Sequence, residues 1–132
     1  MDNWAAEEFG GAELGDGRLT KRLIMLASDF ADKPTASIPG ACSGWAETQA
    51  AYRFFDQASD KKQSLGWEDV LSPHMACTLA RIRQHAVVLC LQDTTELDFN
   101  GQSIEGLGPL SDEAQRGLYL HPPYVVTPER EP

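Results

Sequence analysis

Hydrophobic periodicity changes once along this chain, near residue 86, and that change limits the folds open to it. Upstream, Leu19, Leu23, Leu26 and Phe30 recur in steps of four, three and four, the spacing of one face of an α-helix. Downstream, "AVVLCLQ" (86–92) is an almost purely apolar run and "TELDF" (95–99) alternates, which are strand patterns. Helices first and strands afterwards predict an α+β chain. The expected division is a bundle-like helical domain over 1–84 and a β-containing domain over 85–132.

Within the first part, 3–14 reads as a short amphipathic helix anchored by Trp4, Phe9 and Leu14. Gly10 and Gly11 weaken it by about 1 kcal/mol each relative to alanine. Asp16 in "GDGR" is placed to cap the next helix, where Arg18, Lys21, Arg22 and Met25 gather on a flank beside the leucine stripe. "DKPTASIPGACSG" (32–44) is a Pro/Gly/Ser loop. A third helix is expected over 45–57, with Trp45, Thr48, Tyr52 and Phe55 inward and Gln49, Arg53 and Asp56 outward. "ASDKKQS" (58–64) breaks the pattern. "GWEDVLSPHMACTLARIRQ" (66–84) is helical, with Pro73 either inside one helix or opening a second, and Met75, Leu79 and Ile82 as its inner stripe.

The strand over 86–92 is expected to be buried on both faces, with Cys90 inside it, and "TELDF" to pair with or continue it. "NGQ" is a turn signal, "IEGLGPLSDEAQRG" an irregular loop, and "LYLHPPYVVT" a further β-rich run interrupted by two prolines.

Composition, 42% apolar and 23% charged, is that of a globular chain. The net charge of -9 argues at first against a nucleic-acid partner, but it is unevenly spread. Residues 1–17 hold five acids and no base, 18–84 hold nine bases against seven acids, and 85–132 hold two bases against eight acids. Three cysteines, Cys42, Cys77 and Cys90, lack framework spacing, which favours free thiols in a reducing compartment. With no signal-peptide pattern and no apolar run of the roughly 18 residues a membrane span needs, a cytoplasmic location is expected.

Two features carry chemistry. A helix start armed with arginines suits phosphate, because unpaired amides and guanidinium groups point the same way; the same cations can equally form a solvated face. Asp93 ends an apolar strand, where a rigid arm can fix one oxygen ligand for a hard cation such as Mg²⁺. Alternation puts Glu96 and Asp98 on the opposite strand face from Asp93. An aspartyl nucleophile of the common phosphatase type would want a second Asp where Thr95 stands. The Cys and His residues show no zinc-like pairing, and no Gly-rich phosphate loop occurs.

"LGDGRLTKRL", "AETQAAYRFFD" and "VLCLQDTTELDF", in this order, resemble the start of the insertion-sequence-four family of DDE transposases (the transposon Tn-five type). The resemblance implies a helical domain that binds the double-stranded terminal repeats of the element, followed by a ribonuclease-H-like domain whose Asp, Asp, Glu triad uses Mg²⁺. By that likeness Asp93 matches the first triad aspartate, a catalytic and metal-ligand position. Arg18, Arg22, Tyr52 and Arg53 match positions of the DNA-contacting stretches, and Lys21 joins them by sharing their flank.

No acid after Asp93 stands in a matching place for the other two triad members. The expectation is therefore a truncated catalytic domain, no bound Mg²⁺, no cleavage by this chain alone, and a monomer where full-length family members pair on DNA. The alternatives are a fragment of an active Mg²⁺-dependent transposase and a decayed remnant.

Overall fold

A computed structural model of the chain describes residues 3–57 and 65–132; the "ASDKKQS" stretch lies outside the described residues. The chain is α+β, with helices followed by two small antiparallel sheets. It divides into two compact units, Met1–Arg81 and Ile82–Pro132.

The first unit is organised by helix α2. Asp16 adopts an extended conformation and its carboxylate accepts the Arg18 amide at 2.9 Å, the N-cap that the sequence predicts. The helix then runs Gly17–Asp32. Its stripe is inward as expected: Leu23 and Leu26 are buried, and Leu19 and Phe30 pack half-buried against the same core. Helix α1 covers only Trp4–Phe9, shorter than predicted. With two successive glycines the chain leaves the helix there, yet Leu14 still reaches the core from the connecting turn. Thr20 pins that turn by donating to the Ala12 carbonyl at 3.1 Å.

The expected loop over 32–44 contains one additional turn of helix, α3, Ile38–Ala41. Ser37 caps it, its hydroxyl accepting the Gly40 amide, and Lys33 donates to the Gly40 and Ala41 carbonyls at its C-terminal end. Cys42 follows, buried in the core.

Helix α4, Trp45–Asp56, starts where predicted. Gly44 makes the entry with φ 156° and ψ -175°, a conformation that side chains on Cα resist. Thr48 is inward as predicted, but the rest of the face corrects the sequence reading: Ala51 and Phe54 are buried, whereas Trp45 is 75% exposed and Tyr52 46%. Ala51, fully covered, allows α4 to lie close to α2, and Thr48 tolerates burial because its hydroxyl donates to the Gly44 carbonyl at 2.9 Å. Of the predicted inner aromatics only Phe55 touches the core edge, stacked on Phe30 with ring centroids 6.4 Å apart. Arg22 meets Glu47 and Phe30 meets Phe55, so α2 and α4 run parallel, with α3 in the crossover.

Helix α5 is a single helix, Trp67–Ile82, with Pro73 inside it. Of the predicted stripe, Met75 and Leu79 are exposed and Ile82 is half-buried. What faces inward is Pro73, buried, with Val70 and Cys77 beside it. Pro73 lies beside Gly11, where even an added Cβ would make only ordinary van der Waals contact at 3.9 Å.

In the second unit β1 (Leu89–Gln92) pairs antiparallel with β5 (Pro123–Val126), Leu89 opposite Val126. Strand β2 (Thr95–Asp98) pairs with β4 (Arg116–Leu120), which also holds β3 (Gly108–Pro109), in the order β2-β4-β3. Two expectations fail here. "TELDF" neither continues nor pairs with the first strand, and that strand is exposed at every position, Cys90 included. The cause is the missing second layer: after Ile82 no described residue is helical, and a two-stranded ladder buries neither face by itself. The buried apolar side chains of this unit are Leu110 and Val126. Gly117 permits the β2–β4 approach, since a Cβ there would stand 2.0 Å from the Leu97 carbonyl oxygen.

Candidate nucleic-acid interface

The five residues singled out for DNA contact divide into engaged and free groups. Arg18 lies in the first turn of α2, 90% exposed, and its guanidinium wraps back on the capping carboxylate: Nη2 donates to Asp16 Oδ2 at 2.9 Å and Nε at 3.1 Å. These side-chain bonds, with the Arg18 amide, hold the Asp16 carboxyl below its ordinary value, and Asp16 raises Arg18 in return. One acid therefore caps the helix and answers a cation that opposes the helix dipole.

Arg22, one turn later, donates to Glu47 at 2.5 Å, both side chains about a third exposed or less. The pair crosses between α2 and α4. Glu47 sits in the first turn of α4, so it complements that helix's dipole as well. Arg22 is thereby a strut of the fold. An acid in the first turn of a predicted helix was the available signal for Glu47, but its partner lies 25 residues away.

Lys21 and Arg53 are different. Both are exposed and neither makes an ion pair or hydrogen bond among the described residues. Arg53 stands on the outer face of α4, beside Tyr52. Because residues 22 and 30 of α2 lie level with 47 and 55 of α4, Arg53 lies about 15 Å along the helix axes from the level of Arg18, at 1.5 Å per residue. The cations are thus strung along the α2–α4 pair and do not form one cluster.

Unit 1 holds a second polar centre that the sequence reading missed. Glu8 on α1, its side chain 14% exposed, accepts from Arg81 at 2.8 and 2.9 Å and lies 2.5 Å from His74 Nδ1, both on α5. His74 also stacks on Phe9. The Arg81 hydrogen bonds, and after burial's opposing push those of His74, bring the Glu8 carboxyl down to about 2. Sequence could not join them, since Glu8 and Arg81 stand 73 residues apart.

Asp93 directly follows β1, at the tip of a strand as expected, but β1 belongs to a two-stranded ladder and is not the central strand of a wider sheet. Its Oδ1 accepts the adjacent Thr94 amide at 2.9 Å. Glu96 is occupied by Ser111, whose hydroxyl and amide both donate to it and hold its carboxyl low. Asp98 accepts the Asn100 amide at 2.8 Å. Among the described residues no group of three or more Asp, Glu, His or Cys converges to hold a metal ion. Asp93 alone does not fit Mg²⁺, which requires several oxygen ligands in near-octahedral geometry.

Residues 1–59 match the family model described as transposase DNA-binding. That stretch contains α1 to α4 with all five residues singled out for DNA contact, and the match supports a transposase N-terminal domain there. No helix among the described residues is long and apolar enough to cross a membrane.

Proposed function

We propose that unit 1 is the duplex-DNA-binding module of an insertion-sequence-four type transposase, and that its target is the terminal repeats of the element. The family match over residues 1–59, on a helix pair carrying exposed cations without protein partners, is the observation that supports this reading most directly. Lys21 and Arg53 are the immediate phosphate contacts. Arg18 and Arg22 add to them when a phosphate replaces Asp16 or Glu47, an exchange between acceptors of like charge. Such contacts position the protein on the duplex and carry no sequence information. The -9 total charge is compatible, because screening confines each charge to about 10 Å at ordinary salt.

The assignment of Asp93 as a first metal-ligand position of a ribonuclease-H-like domain belongs to the same proposal. The described residues supply it with no companion acids, so phosphodiester cleavage is not part of the function proposed for unit 1.

The test is anisotropy of a labelled duplex titrated with the full chain across a salt series. Two to four phosphate contacts predict a log–log slope between about -2 and about -4. Arg53→Ala should weaken binding to every duplex and flatten the slope by about 1, with the fold intact by tryptophan fluorescence. Absence of binding to any duplex at low salt refutes the reading.

A further inference from the structure

We propose that the outer face of α4 reads base edges in the DNA major groove, with Gln49 as the specificity-determining residue. This rests on the duplex-binding reading above and names the part of the surface that discriminates sequence.

With Thr48, Ala51 and Phe54 buried, a rotation of 100° per residue sets the opposite face of α4. Gln49 and Arg53 lie at its centre, four residues apart, with Trp45 one turn earlier, Tyr52 on the flank, and Asp56, which has a partner of its own, at the C-terminal end of the face. All five are exposed. The helix has 12 residues and so extends about 18 Å, a rod of the kind the major groove admits. Beside this ridge stand Ala46 and Ala50, small side chains that leave room for close approach.

The chemistry is specific. The Gln49 side chain makes no hydrogen bond among the described residues, so its amide offers both a donor and an acceptor outward. That pair matches adenine, whose N6 donates and N7 accepts in the major groove. Arg53, with no side-chain partner among the described residues, holds a flanking phosphate and so fixes the register in which Gln49 meets the base edges. Trp45, three-quarters exposed, presents a large apolar ring that gains cover from a thymine methyl or a sugar. On the basic flank of α2, Arg18 is folded on Asp16 and Arg22 on Glu47, which leaves Lys21 for a phosphate. The occupant is therefore duplex DNA, with α4 as the reading helix and α2 as its support.

The experiment is selection of bound duplexes from a random-sequence pool by the full chain, followed by titration of the selected and a scrambled duplex. Wild type should enrich a motif containing an adenine that Gln49→Ala releases. The ratio of affinities for the selected and scrambled duplexes should fall about tenfold to a hundredfold in that variant, in line with one bidentate base contact. Gln49→Glu keeps the size but only accepts, so the preferred base should move from adenine to cytosine, whose N4 donates. Gln102→Ala, in unit 2, should leave the ratio unchanged.

If the Gln49 variants select the same motif with the same ratio, or wild type binds duplexes without enriching any motif, base reading by α4 is overturned while the duplex-binding function stands. If the chain binds no duplex from the pool, both fail. Enrichment of a protein ligand by the same α4 face, unaffected by duplex, also overturns it.

Discussion

Replacing Glu8 by glutamine should destabilise unit 1 in a way that depends on pH, and the structure sets both sign and size. The Glu8 carboxyl drops from 4.5 to about 2 on folding, through Arg81 first and His74 second. A depressed acid stabilises the fold above its unfolded value and loses that contribution as pH falls through the folded one. At 1.36 kcal/mol per unit the ceiling is about 3.4 kcal/mol. Arg81 is half exposed, and water screens such a pair, so the expected cost of Glu8→Gln at pH 7 is about 1 to 2 kcal/mol.

The same linkage leaves about two-fifths of that difference at pH 3 and about an eighth at pH 2. Trp4, Trp45 and Trp67 are the chain's three tryptophans, and all belong to unit 1, so urea unfolding followed by tryptophan fluorescence reports this unit alone. A Glu8→Gln chain as stable as wild type at pH 7, or a deficit of equal size at pH 3, would refute the argument that the α1–α5 clasp is held by an ionised Glu8.

Two further outcomes follow from packing. Leu26, 3% exposed at the centre of the core cluster, should cost about 2 to 5 kcal/mol as alanine, seen as a lower urea midpoint of the same fluorescence transition. Gly117→Ala should abolish amide protection along β2 and β4, because its Cβ meets the Leu97 carbonyl at 2.0 Å; hydrogen exchange should show unit 1 unaffected.

Where the sequence was informative, the relevant physics was local. Asp16 and the leucine spacing of α2, and the start and length of α4, rest on capping and on a period repeated within one or two turns. Hydrophobicity alone misorients α4 and α5. On α4 the inward positions are Thr48, Ala51 and Phe54, and the equally apolar Trp45 and Tyr52 are left outside. On α5 the inward side carries Pro73, and His74 and Arg81 meet Glu8 of α1. On β1 an apolar run implied two covering layers, and none of the described residues forms one.

The candidate site shows the same division. That arginines and an aromatic stood on α2 and α4 was legible from residue type and period. Which of them are free was not, because Arg18 and Arg22 are neutralised by carboxylates whose positions depend on the cap and on helix packing. Gln49 was visible on the wet side of α4, but its centrality became clear only once Trp45 was seen to share that side.

By itself, then, the sequence determined an α+β chain, the onset of its main helices, the change of period near 86 and the identity of the cations. These follow from side-chain chemistry acting over a few neighbouring residues. The tertiary structure decided which faces turn inward, which strands pair, and that Glu47 and Glu8 hold Arg22 and Arg81 across 25 and 73 residues. Such pairings depend on how closely whole helices approach, and that is set by the volumes of side chains meeting from distant parts of the chain.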